Sequence, residues 1–149
     1  MTLRIAIASD HAGYDLKQEL LDFLGHDDRV RVSDLGPSSP LRCDYPDYAA
    51  AVARALQSGE ADRGILVCGS GIGVSITANR FSGVRAALVQ NATMARLSRE
   101  HNDANVICVG SRLIGSVVAF DAVTAFIETD FAGGRHADRL AKIDALELN

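Results

Sequence analysis

Between residues 64 and 80 the chain reads Gly-Ile-Leu-Val-Cys-Gly-Ser-Gly-Ile-Gly-Val-Ser-Ile-Thr-Ala-Asn-Arg, and no other stretch restricts the possible fold as much. A short unbroken apolar run such as Ile65-Leu66-Val67 suits a strand buried on both faces, which implies a parallel sheet covered by helices. Glycine at 69, 71 and 73 then permits a sharp turn and lets backbone N–H groups approach a ligand, while the start of the following helix favours negative charge. The stretch reads as strand, anion-binding loop and helix. Cys68 stands on the lip of this loop and Ser70 lies inside it. A thiol beside free amides is a candidate base or nucleophile, because a helix N-terminus can lower its pKa.

The rest of the chain repeats the alternation. Strands are expected over 3–8, 30–35, 85–89 and 106–109, and helices over 14–24, 47–57, 92–101 and 117–127, with a helical tail over about 135–146. Strands alternating with helices form parallel βαβ units, so the expected fold is α/β: a three-layer α/β/α sandwich, Rossmann-like, with a five-stranded parallel sheet. At 149 residues the chain is read as one domain, 1–149. Ligands of such sheets bind outside the carboxyl ends of the strands. That rule gathers Asp10, His11, residues 68–73 and residues 110–112 on one edge. The breaker-rich segment 36–40 is a surface loop, too short to be a linker.

Composition excludes several classes. A net charge of −4 argues against a nucleic-acid partner. Cys43, Cys68 and Cys108 are odd in number and widely spaced, so neither a disulfide framework nor a zinc site is indicated, and a reducing cytoplasm is expected. The N-terminal apolar run reaches an acid by position 10 and is read as neither a signal peptide nor a membrane span. The glycine loop lacks the glycine at 74 that a dinucleotide fingerprint needs, and no Walker lysine follows it.

Several polar residues admit two readings. Asp10 and His11 directly follow the first strand, where they can reach a ligand, or Asp10 can cap the next helix. His101 and Asn102 close the fourth expected helix, and a histidine there gains from the helix dipole whatever else it does. Arg135 and Arg139 are four apart and share a helical face with Lys142 a turn later, which suits a phosphate; the alternative is a solvated face paired with Asp138 and Asp144. Cys43 and Cys108 are read as small core residues, and His26 as solvated surface.

Taken together, Ser-Asp-His-Ala-Gly at 9–13, Asp-Tyr-Pro-Asp-Tyr-Ala at 44–49, Cys-Gly-Ser-Gly-Ile-Gly at 68–73, Ala-Asn-Arg at 78–80, Glu-His-Asn-Asp-Ala-Asn-Val at 100–106 and Gly-Gly-Arg-His at 133–136 resemble the type B ribose-5-phosphate isomerase family. The family also contains galactose-6-phosphate and allose-6-phosphate isomerases. The resemblance spans nearly the whole chain and implies aldose–ketose isomerisation of a sugar phosphate without metal or organic cofactor. By the same resemblance Cys68 carries the proton between C1 and C2 through an enediolate, Ser70 assists in place of the threonine of many members, and His101 opens the sugar ring. The amides from Gly69 through Ser70, Gly71 and Ile72 to Gly73 can hydrogen-bond the developing oxyanion. Asp10 and Asn102 hold sugar hydroxyls with Tyr45 nearby, and His11, Arg112, Arg135 and Arg139 bind the phosphate. Some members replace the cysteine by a glutamate in the helix after the loop; here 74–76 is Val-Ser-Ile, which favours Cys68.

Members of that family are dimers or dimers of dimers with sites at the subunit interface, so the resemblance implies a homodimer or homotetramer in which the 135–146 tail packs on a partner and completes its site. A pentose 5-phosphate is the first expectation. Segment 35–43 departs from the family pattern beside the sugar contacts, which leaves a hexose 6-phosphate or tetrose 4-phosphate as alternatives. A sugar-phosphate-binding module without turnover is the rival from another class, and it would need neither Cys68 nor His101.

Overall fold

In the computed structural model, residues 1–146 are described, and residues 147–149 of the expected domain lie outside the described residues. Five strands and six helices alternate as β1 (Leu3–Ser9), α1 (Tyr14–Leu24), β2 (Val30–Asp34), α2 (Tyr45–Gln57), β3 (Arg63–Cys68), α3 (Ile72–Ala78), β4 (Ala86–Leu88), α4 (Ala92–Asn102), β5 (Val106–Gly110), α5 (Ser116–Glu128) and α6 (Arg135–Asp144). Every expected element is present. The largest shifts are of two residues: α6 ends at Asp144 rather than 146, and α2 starts at Tyr45 rather than 47, because Pro46 fits the first helical turn, where its missing N–H costs no hydrogen bond.

All strand pairs are parallel and the order is β2-β1-β3-β5-β4. Right-handed crossovers then decide the layers. The connections β1–α1–β2 and β4–α4–β5 travel in one direction across the sheet, and β2–α2–β3 and β3–α3–β4 in the other, so α1 and α4 share one face and α2 and α3 the opposite one. The cores agree with this. Ile5, Ile7, Ile65, Val67, Ile107 and Val109 pack with Leu16, Leu20, Val123 and Phe126, whereas Ala6, Ala8, Leu66, Cys68 and Cys108 pack with Ala49, Val52, Ala53 and Val74. Successive strand residues alternate between the two cores, as a pleat requires.

The sheet runs outward in both directions from β1 and β3, so the switch point lies between them, with the loop after β1 and the loop after β3 as its rims. At the opposite edge, Arg99 donates to the carbonyls of Ala104 and Thr129, and Arg63 to those of Phe126 and Ile127. The bonds to Phe126, Ile127 and Thr129 satisfy carbonyls left open at the end of α5, and the bond to Ala104 ties in the turn after α4. Burial, with the Arg99 charge nearby, pulls the Arg63 pKa below its ordinary value. Helix α6 lies outside α4, with Leu140 buried between them.

Leu20 is fully buried in the α1-side core. Leu20→Ala is expected to lower the unfolding free energy by about 2–5 kcal/mol, read from urea denaturation of the two proteins; a loss well under 1 kcal/mol would contradict this packing.

Candidate active site

The carboxyl edge brings together most of the sequence candidates. Cys68 ends β3 and is 4% exposed, with its side chain on the α2–α3 face. Its Sγ accepts a hydrogen bond from the Gly71 N–H at 3.1 Å. The loop can turn back this way because Gly71 has φ +77°, a conformation that a residue with a Cβ resists. Ser70 Oγ accepts from the Ile72 N–H at 3.1 Å, leaving the hydroxyl proton free to be donated elsewhere. Two of the loop amides therefore already have acceptors within the loop. Among the described residues none accepts from the N–H of Gly69, Ser70 or Gly73, and these remain available to an anion.

Three neighbours close round the loop. The Arg112 guanidinium lies over Gly69, with Nη1 3.2 Å from where a Cβ would stand, and the Arg112 N–H donates to Gly69 O at 3.0 Å. The Tyr45 ring occupies the space that a side chain at Gly73 would fill, its Cζ 2.6 Å from the Cβ position. Ser111 Oγ donates to Ala12 O at 2.8 Å and ties the loop after β5 to the loop after β1.

Asp10 is 7% exposed, and its Oδ1 accepts from the Gly13 N–H at 2.9 Å. This bond closes the turn before α1 and does not cap the helix, whose N-cap Gly13 receives no side-chain cap, and Oδ2 has no partner among the described residues. His11 Nδ1 lies 3.3 Å from the Cys43 N–H and 3.1 Å from the Cys43 carbonyl. When Nδ1 accepts from that N–H, the ring proton sits on Nε2. An open cleft of about 420 Å³ is lined by Asp10, His11, Arg42, Cys43, Asp44 and Tyr45. Cys43 is half-exposed in this wall, correcting its reading as a core residue, whereas Cys108 is fully buried.

His101, Asn102, Arg135 and Arg139 lie elsewhere. Helix α4 runs back toward the amino ends of the strands, and Asn105, three residues after its end, accepts through its carbonyl from the Gly64 N–H at the start of β3. From Gly64 to Cys68 the strand advances about 13 Å, at about 3.3 Å per residue. His101 and Cys68 of one chain therefore occupy opposite ends of the sheet. His101 stacks on His136 with centroids 4.4 Å apart and planes 15° from parallel. Desolvation, then the charges of His101, Arg135 and Arg139, lowers the His136 pKa against the opposing pull of Glu100. Arg135 and Arg139 are exposed, as the solvated reading expects, and among the described residues neither forms an ion pair with Asp138 or Asp144.

The sequence reading passed over the Cys43 clasp on His11 and the Ser111 tie, because both are made between segments that are distant in the chain. Among the described residues no three His, Cys, Asp or Glu side chains converge as a metal site and no helix is long and apolar enough to cross a membrane. An acid/base sulfur beside free amides and a cationic rim can move a proton next to a developing oxyanion.

Comparison with known proteins gives consistent matches. The family model described as Ribose/Galactose Isomerase matches residues 5–143. A curated relative from Escherichia coli, named ribose-5-phosphate isomerase B, is 45% identical over 97% of this chain and 96% of its own. Among solved structures, the type B ribose 5-phosphate isomerase of Trypanosoma brucei superposes with a TM-score of 0.95 at 45% identity, covering 99% of this chain and 100% of that one. Ribose-5-phosphate isomerase B of Mycoplasma genitalium, solved with bound ribulose-5-phosphate, has a TM-score of 0.90 at 41% identity and covers 97% and 95% of the two chains.

The three thiols should separate by reactivity. Burial pushes the Cys108 thiol up well beyond its ordinary range, so iodoacetamide at mildly alkaline pH is expected to label Cys43 and spare Cys108 until the protein is unfolded. Peptide mapping by mass spectrometry checks this, and equal labelling of the two in the folded protein would contradict the described burial.

Proposed function

The chain belongs to the ribose/galactose isomerase family, and from that premise we propose that it is an aldose–ketose isomerase interconverting ribose 5-phosphate and ribulose 5-phosphate, with Cys68 as the base. The observation that carries the assignment of the base is the Cys68 Sγ held by the Gly71 N–H at the mouth of a loop whose other amides are open. The amide fixes the direction of Sγ at the loop mouth, and a sulfur placed beside open amides can take a proton next to the charge that those amides receive.

The steps follow from the placement of the groups. With the open-chain aldose seated against residues 69–73, Cys68 removes the C2 proton and returns it to C1, and the charge passing through O1 and O2 falls to the Gly69, Ser70 and Gly73 amides. The Ser70 hydroxyl, whose oxygen is engaged by Ile72, can donate a proton to an enediolate oxygen. Proton transfer between C1 and C2 leaves the sugar's overall oxidation state unchanged and calls for no redox partner. His11 and Arg112 serve the phosphate, and the open Oδ2 of Asp10 serves a hydroxyl.

The ring-opening group and the remaining phosphate ligands come from a second copy of the chain. His101 cannot approach the Cys68 loop of its own subunit, yet it is exposed with Asn102, Arg135 and Arg139 on one outer face. At the carboxyl edge Ile72, Met94, Leu113 and Val117 are exposed apolar side chains around the loop, a surface suited to a partner. A two-fold dimer places the α4–α6 face of each copy over the Cys68 loop of the other. Helix α6 packs on its own α4 through Leu140 and presents its arginines across the interface. Three free cysteines suit a reducing cytoplasm.

Cys68→Ala is expected to cut kcat by about 10²–10⁴-fold while ribose 5-phosphate binding, followed by calorimetry, stays within a few-fold; turnover close to the parent's would remove Cys68 as base. Cys68→Ala and His101→Asn homodimers should each be nearly inactive. Mixed and refolded in equal amounts they should recover about a quarter of parent activity, since half the dimers are mixed and each holds one intact site. No recovery at all would place His101 and Cys68 in the same subunit's site.

A further inference from the structure

Lys17 is fully buried, with 0% exposure, although it carries a charge and lies outside the site described above. Its Nζ donates to Asp34 Oδ1 at 2.8 Å and to the Pro37 carbonyl at 2.7 Å, and it sits 5.3 Å from the centre of the Tyr14 ring. A buried ammonium is costly to desolvate, and an apolar side chain in its place is often as stabilising or more so. Stability alone is therefore a poor reason for a lysine at this position. What the lysine does contribute is direction, because its partners lie at the end of β2 and at the start of the irregular segment 35–44.

The far end of that segment, Arg42 to Asp44, lines the cleft, and its near end is also tied to β1, where the Leu35 N–H donates to Ile7 O at 2.8 Å. Asp34 Oδ1 also accepts from the Gly36 N–H at 2.9 Å, and Gly36 O accepts from the Ser9 N–H at 3.0 Å, one residue before Asp10. Tyr14 Oη, on the same helix as Lys17, reaches Ser38 O at 3.4 Å. Between 39 and 42 the recorded hydrogen bond is a local one, from the Leu41 N–H to Ser39 Oγ. At 43 the segment meets His11 through the Cys43 backbone, and at 45 it enters α2 with Tyr45 against Gly73. One end of the wall is pinned by Lys17, and the other orients a phosphate-binding histidine.

We propose that Lys17 is a positioning residue for substrate binding, holding segment 35–44 so that the Cys43 backbone keeps His11 turned into the cleft. The effect on turnover rests on the reading of this cleft as a sugar-phosphate site; the effect on the wall does not. Lys17→Met keeps the length and apolar body of the side chain and removes the ammonium. It is expected to raise KM for ribose 5-phosphate about tenfold with kcat within about twofold, and to speed iodoacetamide labelling of Cys43 several-fold in the absence of any sugar. Lys17→Arg, which retains a donor, should recover part of both. If Lys17→Met does not fold, Asp34→Asn, which keeps the lysine and alters a partly exposed partner, carries the test through a smaller rise in KM and in Cys43 labelling. A folded Lys17→Met, or in its absence Asp34→Asn, with KM and Cys43 labelling at parent values would overturn the proposal, as would a loss of thermal stability with both unchanged. A parent protein inactive on ribose 5-phosphate would count against the function proposed above, and the labelling comparison would still decide the role of Lys17.

Discussion

The site depends first on the register of β3. This strand is paired on both sides, with Val67 opposite Ser9 on β1 and Cys68 opposite Gly110 on β5. Because side chains alternate along a strand, a slip of one residue would turn Cys68 to the other face, away from α3 and the Gly71 amide. The apolar pattern opposes such a slip, since Ile65 and Val67 fit one core and Leu66 the other. Packing that stabilises the fold thus also aims the Cys68 sulfur, and a strand buried on both faces aims it more firmly than a loop could.

Charge is divided between the two edges of the sheet for a related reason. Around Cys68 the groups available to an anion are mostly neutral amides, joined by Arg112, and such dipoles stabilise a transient oxyanion without holding a permanent counter-ion. The exposed arginines 135 and 139 lie on the far side of the fold, along α6. In the two-fold dimer proposed above they would meet the amide loop of the other copy, and the apolar rim would be covered at the same time. Within one chain, the length of β3 keeps His101 and Cys68 apart, and the exchange proposed between two copies would turn that same distance into the span across which each serves the other.

The buried lysine of α1 and the clasp between His11 and Cys43 belong to another level of organisation. They add to the backbone bonds that tie Leu35 and Gly36 to β1, and they do it with side-chain contacts, to a carboxylate and to backbone groups, between parts of the chain that are remote in sequence. A long polar side chain is well suited to this, because it can satisfy a carboxylate and a carbonyl together, though it loses rotamer freedom and hydration in doing so.

Sequence alone determined the alternation of strands and helices, the five-stranded parallel sheet and the residue types at its carboxyl edge. These follow from periodicity and from glycine chemistry, which act over a few residues. The glycine loop beside Cys68 was legible for that reason, as were Asp10 and His11 just after β1. Tertiary structure decided the placement of β5 between β3 and β4, the half-exposure of Cys43 and the burial of Lys17, and it put His101 and the tail arginines at the other end of the sheet from Cys68. Those outcomes depend on crossover handedness and on contacts between distant segments, and no local pattern of residues encodes either.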